Sequence, residues 1–259
     1  MARNESFLTW QRVPADHIRF ERLDEEISFL LGYAIMYVIL GYGIGMMILY
    51  FPRPMMGATQ FNQDAWYSIL FKIFFLLTVP AFVYFGWWKY RLNDLLLGIR
   101  PNARAILATI LMMAFGFFLN ASHLSKISAH FHDHPDASLR VAVGVIMPLF
   151  TAGIPEEFFF RGYLQTRLEK KWNRLFAILL TSVLFTAWHL PSRYLLSQGV
   201  EGQAGHFDQV LLHTGLPVFV ISLIFGFHWS RYRNIVLLVL THWAVDILPS
   251  VSSYLKIPF

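Results

Sequence analysis

The chain has 259 residues, 56% of them hydrophobic and 14% charged, with a mean hydropathy of +0.48; a soluble domain carries roughly 25% charged residues, so the composition excludes an ordinary soluble globule and predicts an all-α polytopic membrane protein in a lipid bilayer. The net charge of +5 is spread over several loops instead of one folded face, which argues against a nucleic-acid partner. With no cysteine there is no disulfide, thiolate nucleophile or Cys-ligated metal.

In chain order, residues 1–26 form a polar leader of mixed charge, unlike a cleavable signal peptide, within which 16–28 has the spacing of a short surface helix. A single transmembrane domain, 27–259, follows. Its spans are expected at about 27–51, 67–88 and 105–124, then from about 140, 175, 210 and 235, which makes about seven within a range of six to eight. Gly41, Gly43 and Gly45 in the first span suggest close packing against another helix. Pro52 and Pro54 mark the loop after it, and Trp87-Trp88 ends the second span at an interface. The stretch 198–208 has room for a re-entrant piece.

Positive charge sets the topology. Residues 1–26 hold four Arg, and 89–104 hold four Lys or Arg. Arg167, Lys170, Lys171 and Arg174 follow the fourth span, and Arg231 and Arg233 the sixth. The alternate connections carry few: Arg53, then Lys126 and Arg140, then Arg193, then Lys256. This alternation predicts a cytoplasmic N-terminus.

Against that apolar background stands Pro155-Glu156-Glu157-Phe158-Phe159-Phe160-Arg161-Gly162-Tyr163. On a helix, Glu157 and Arg161 are four apart and can pair, while Glu156 faces another way. Intramembrane charges are costly and point to function. At about 1.5 Å per residue, Glu156 lies roughly 16 Å from Arg167, His189 roughly 20 Å from the Arg174 end, His242 roughly 12 Å from Asn234 and Asp246 roughly 18 Å. In a hydrocarbon core about 30 Å thick these four share one middle layer. Taken singly, Glu157–Arg161 reads as a structural ion pair and each histidine as a packing group. Their common depth reads as a water-accessible site in which Glu156 and a neutral imidazole activate water and His242 donates to an oxyanion. Asp246, on the face of His242, would fix that ring or hold a proton. Pro148 and Pro155 are expected to interrupt the helix before Glu156 and admit water. The layer alone does not separate a hydrolase from a proton-coupled transporter.

A second polar cluster, His130-Phe131-His132-Asp133-His134-Pro135-Asp136 with His123 upstream, reads as a loop on the opposite side of the bilayer. It has no spacing that fixes a metal site and is taken as surface histidines.

The motifs Glu156-Glu157-Phe-Phe-Phe-Arg161-Gly162, Phe185-Thr-Ala-Trp-His189 and His242-Trp-Ala-Val-Asp246 resemble, in order and spacing, those of the intramembrane endopeptidases of the CAAX-processing and bacteriocin-immunity (CPBP) family. The resemblance covers about 141–248, the expected protease-like core. It implies Glu156, His189, His242 and Asp246 as catalytic residues, Glu157, Arg161 and Phe185 as supporting ones, and a membrane-embedded or lipidated protein or peptide as substrate. The family has been described as zinc-dependent, but its prenyl-processing member resembles a metal-free glutamate-type protease, so no cofactor is implied, with zinc as the alternative. Asp246 stands where the prenyl-processing enzymes have asparagine, a departure that implies different substrates. A bacterial inner membrane is the expected location. The alternatives are a non-catalytic binding or immunity factor of the same fold and a proton-coupled transporter.

Overall fold

The computed structural model describes residues 21–50, 68–91, 103–196, 198–199 and 202–256. Most of the polar leader, the Pro52–Pro54 loop and the basic stretch 92–102 lie outside the described residues. Helix α1 is Leu23–Tyr50, α2 spans 68–87, α3 is Ala103–Leu119 and α4 is Ser122–Phe131. Helix α5 is Ala137–Lys171, α6 is Arg174–Leu196, α7 is Phe207–Tyr232 and α8 is Ile235–Lys256. Between α6 and α7, in the stretch with room for a re-entrant piece, lies a two-residue antiparallel ladder, Gln198 opposite Gln203 and Gly199 opposite Gly202.

The protein is an all-α polytopic membrane protein. Helices α1, α5, α6, α7 and α8 are long and apolar enough to cross a membrane, and α3 with α4, bent by 63° between them, make a sixth span if taken as one. The expected second span appears as a shorter apolar helix, Phe71–Trp87, which leaves five to six qualifying spans among the described residues, where about seven were expected. The histidine cluster expected as a loop begins inside α4: His123 and His130 are helical, and His130 pairs with Asp133 at 2.9 Å.

Pro148 and Pro155 do not unwind α5. The winding widens into π-helical turns at Leu149–Gly153 and Glu157–Gln165, where hydrogen bonds reach one residue further back. A proline lacks its own N–H and crowds the carbonyl four residues earlier, and a wider turn relieves both. Glu156 and Glu157 sit at the junction of a short α-helical piece with the second wide turn.

Helix α8 packs along the first half of α5 and on α3 and α4, while α6 contacts both α1 and α7. Glycine makes two of these contacts possible. A Cβ on Gly144 would lie 2.7 Å from the Val251 Cα, and one on Gly116 2.6 Å from the Val245 Cγ2, so α8 packs closely at both positions. In the first span a Cβ on Gly45 would lie 2.5 Å from the Leu195 Cδ1, but one on Gly43 would meet nothing within 4 Å outside its own helix. The close-packing face expected there is therefore not continuous. Gly144→Ala is expected to destabilise the protein by about 1–3 kcal/mol, because the obstructing atom is backbone. Gly43→Ala should stay within about 0.5 kcal/mol of wild type. Thermal unfolding in detergent compares the two.

Ion pairs, two of them buried and one exposed, gather several helix ends on one face. Glu26 in the first turn of α1 meets Arg167 near the end of α5 at 2.6 Å and accepts from Tyr84 at 3.0 Å and from Tyr90, just beyond α2. Lys171 reaches Asp24 at 2.6 Å, and Glu169 of α5 pairs with Arg233 in the turn between α7 and α8. These are the ends that the alternation of positive charge assigns to one side of a membrane. Glu26, counted with the polar leader on sequence grounds, is wholly buried inside this network.

Candidate active site

The junction between the short α-helical piece and the second wide turn of α5 presents Glu156 and Glu157 to the interior, where both are wholly buried. Each carboxylate has a cation of its own. Glu157 Oε1 accepts from Arg161 Nη1 at 3.1 Å, as the four-residue spacing predicts. Arg161 is held further by Ser222 of α7, whose Oγ accepts from Nη2 at 2.8 Å, and by the Phe185 ring, whose centroid lies 4.2 Å from the guanidinium. Glu156 Oε1 accepts from Lys72 Nζ of α2 at 3.0 Å.

The other Glu156 oxygen, Oε2, makes no hydrogen bond although it is buried. His189 Nε2 from α6 and His242 Nε2 from α8 both stand 3.7 Å from it. That separation is too long for a direct bond and suits a small bridging molecule. The orientation of His189 is fixed from behind. Its Nδ1 lies 2.7 Å from the Phe185 carbonyl, which can only accept, so Nδ1 carries the hydrogen and, on a neutral ring, Nε2 keeps its lone pair. The Phe185 ring also packs on both imidazoles, with centroids 4.7 Å from His189 and 6.1 Å from His242.

His242 is placed between carboxylates. Nδ1 is 2.6 Å from Glu157 Oε1, and Nε2 is 3.3 Å from Asp246 Oδ2, one turn later on α8. A ring flanked by acceptors on both sides satisfies both only with a hydrogen on each nitrogen. Asp246 is the open edge of the cluster, its side chain 35% exposed, while His189 is 14% exposed.

The four residues read from the sequence as catalytic and the three read as supporting thus meet in one cluster drawn from α5, α6 and α8. Sequence reasoning missed Lys72, Ser222 and the Trp188 ring, whose centroid lies 4.5 Å from that of His189. For Lys72 the signal was present: it is the one charge in the apolar stretch 67–88. Ser222 gives no such signal in an apolar helix.

Among the described residues no three His, Asp or Glu side chains are arranged to hold a metal ion. The donor set also argues against one, since a dication on Glu156 Oε2 would sit beside an ammonium already bound to the same carboxylate.

Residues 138–248 match the family model described as Type II CAAX prenyl endopeptidase Rce1-like. This Rce1-like domain begins three residues before the stretch delimited by the sequence motifs and ends with it, and it contains every site residue except Lys72. No curated protein and no solved structure matches the chain.

Proposed function

We propose that the chain, an integral membrane protein with an Rce1-like domain at 138–248, is an intramembrane endopeptidase that hydrolyses peptide bonds of membrane-bound or lipidated substrates. The carrying observation is that two imidazole Nε2 atoms from different helices converge at 3.7 Å on the one Glu156 oxygen that makes no hydrogen bond.

In this reading a water lies between Glu156 Oε2 and His189 Nε2, both acceptors. Its oxygen attacks the scissile carbonyl carbon as Glu156 takes one proton and His189 orients the other. The carbonyl oxygen becomes negative and takes over the Nε2 hydrogen of His242 that faces Asp246 before substrate binds. Glu157, bonded to Nδ1, holds that ring and stabilises its charge, and Arg161 in turn holds Glu157. As the C–N bond breaks, Glu156 returns its proton to the leaving amine. Asp246 acts through His242 by fixing the ring, since a second ionised carboxylate would oppose the oxyanion directly. The substrate enters past Asp246 and His189, the accessible members of the cluster. The reaction needs no metal. We place the protein in a bacterial inner membrane with its N-terminus in the cytoplasm, on the side where positive charge collects.

Comparative peptidomics of membranes containing wild type or Glu156→Ala tests the reading. New C-termini are expected in wild type and absent from the variant, and chelator-washed protein should retain the activity. Identical peptide sets, with the cellular phenotype preserved in the variant, would instead mark a binding protein of the same fold. Stoichiometric zinc lost on mutating His189 would overturn the metal-free mechanism.

A further inference from the structure

The Rce1-like domain does not supply the cation on its own central carboxylate. That cation comes from α2, in the part of the chain before residue 138. We infer that Lys72 is a positioning residue of the active site, holding Glu156 by Oε1 so that Oε2 is turned toward His189 and His242. The inference rests on the peptidase reading for its kinetic consequence and on the ion pair alone for its structural one.

Four observations carry it. Lys72 Nζ lies 3.0 Å from Glu156 Oε1, and the Glu156 side chain is 1% exposed. The ammonium also stands 5.1 Å from the centroid of the Trp188 ring, the residue next to His189, so it is held from two sides. The helix bearing it is fixed at this level: Phe71 is fully buried, its ring stacks on Tyr37 at 4.0 Å, and its carbonyl accepts from the Tyr37 hydroxyl at 2.9 Å. Finally, the two carboxylates of α5 divide the available cations, Arg161 serving Glu157 and Lys72 serving Glu156.

The choice of lysine has a chemical consequence. An ammonium is a compact point charge that here engages one carboxylate oxygen and leaves the other for proton transfer. A guanidinium presents a fork that engages both oxygens of a carboxylate. At this site the fork would cover the oxygen that the two histidines face. Lysine compensates the buried charge without closing the reacting side.

The test needs no substrate for its first arm. Thermal unfolding in detergent of wild type, Lys72→Met, Glu156→Met and the double variant forms a cycle, methionine removing the contact from either side. The double variant is expected to melt higher than the sum of the two single losses predicts, and strict additivity overturns the ion pair and the inference with it. The second arm measures, in proteoliposomes, cleavage of an internally quenched membrane-bound peptide carrying a cleavage site found by the peptidomics. Lys72→Ala is expected to lower kcat on the order of 100-fold with little change in KM. Ethylammonium should restore it saturably, and Lys72→Arg should fold yet remain slow. A Lys72→Ala enzyme within threefold of wild type, or one indifferent to ethylammonium, overturns the positioning role. If Glu156→Gln still cleaves like wild type, the peptidase mechanism fails instead, and the unfolding cycle alone judges the pairing.

Discussion

Glu156→Gln and His189→Gln are each expected to lower kcat/KM by about 10²–10⁴, and the double variant should be no slower than the worse single one. The reason is geometric. Glu156 Oε2 and His189 Nε2 are 3.7 Å apart with no bond of their own, so in the proposed mechanism they act on one water, and losing either leaves the other with nothing to act on. Groups that work as a unit give strongly non-additive losses. Glutamine keeps an oxygen that Lys72 can bond but cannot take up a proton at working pH, so the substitution removes the base and spares the shape. Initial rates on a quenched membrane-bound peptide carrying a cleavage site found by the peptidomics, normalised to folded protein by gel filtration, measure all three variants. Losses that multiply would show two independent contributions and break the shared-water account.

What could be read in the chain without its structure follows from how each feature is encoded. Apolar length and the alternation of positive charge are properties of single segments, so the polytopic all-α class, the order of the spans and the shared side of their charged ends were legible. The cluster of Glu156, His189, His242 and Asp246 was legible because each residue interrupts an apolar run at a similar depth. Glu157–Arg161 followed from local helical spacing. The rest depends on approach between helices. Nothing in one strand of sequence states that Ser222 caps Arg161, or that the Phe185 carbonyl fixes the His189 ring. Lys72 was visible as a lone charge, but its partner lies 84 residues away. Pro148 and Pro155 were read as breaks because proline removes an α-helical bond, whereas the chain accommodates them in π-helical turns. Glu26 falls in the stretch 1–26 that composition marks as a polar leader, and only the approach of α2 and α5 buries it.

That last residue supports the second large expected effect. Arg167→Met should destabilise the protein by about 3–5 kcal/mol, since it strands a carboxylate in a dry interior. Glu26 and Arg167 are both wholly buried, and the bond between them joins the start of α1 to the end of α5 across 141 residues. A charge inside a membrane protein invites a functional reading, so Glu26 needs to be distinguished from Glu156. The distinction lies in how their oxygens are used. Glu26 spends Oε2 on Arg167 and Tyr84 and Oε1 on Tyr90; Glu169 likewise spends Oε1 on Gln165 and Ser230 and Oε2 on Arg233. Carboxylates with both oxygens bonded have nothing left to offer a reactant and act as fasteners. Glu156 leaves one oxygen unbonded beside two imidazoles. Arg167→Met should accordingly lower the melting temperature steeply while the folded fraction keeps its wild-type kcat and KM, and Glu156→Gln should do the reverse. Unfolding and rate measurements on the same preparations decide it, and a loss of kcat in folded Arg167→Met would place this network within the catalytic machinery.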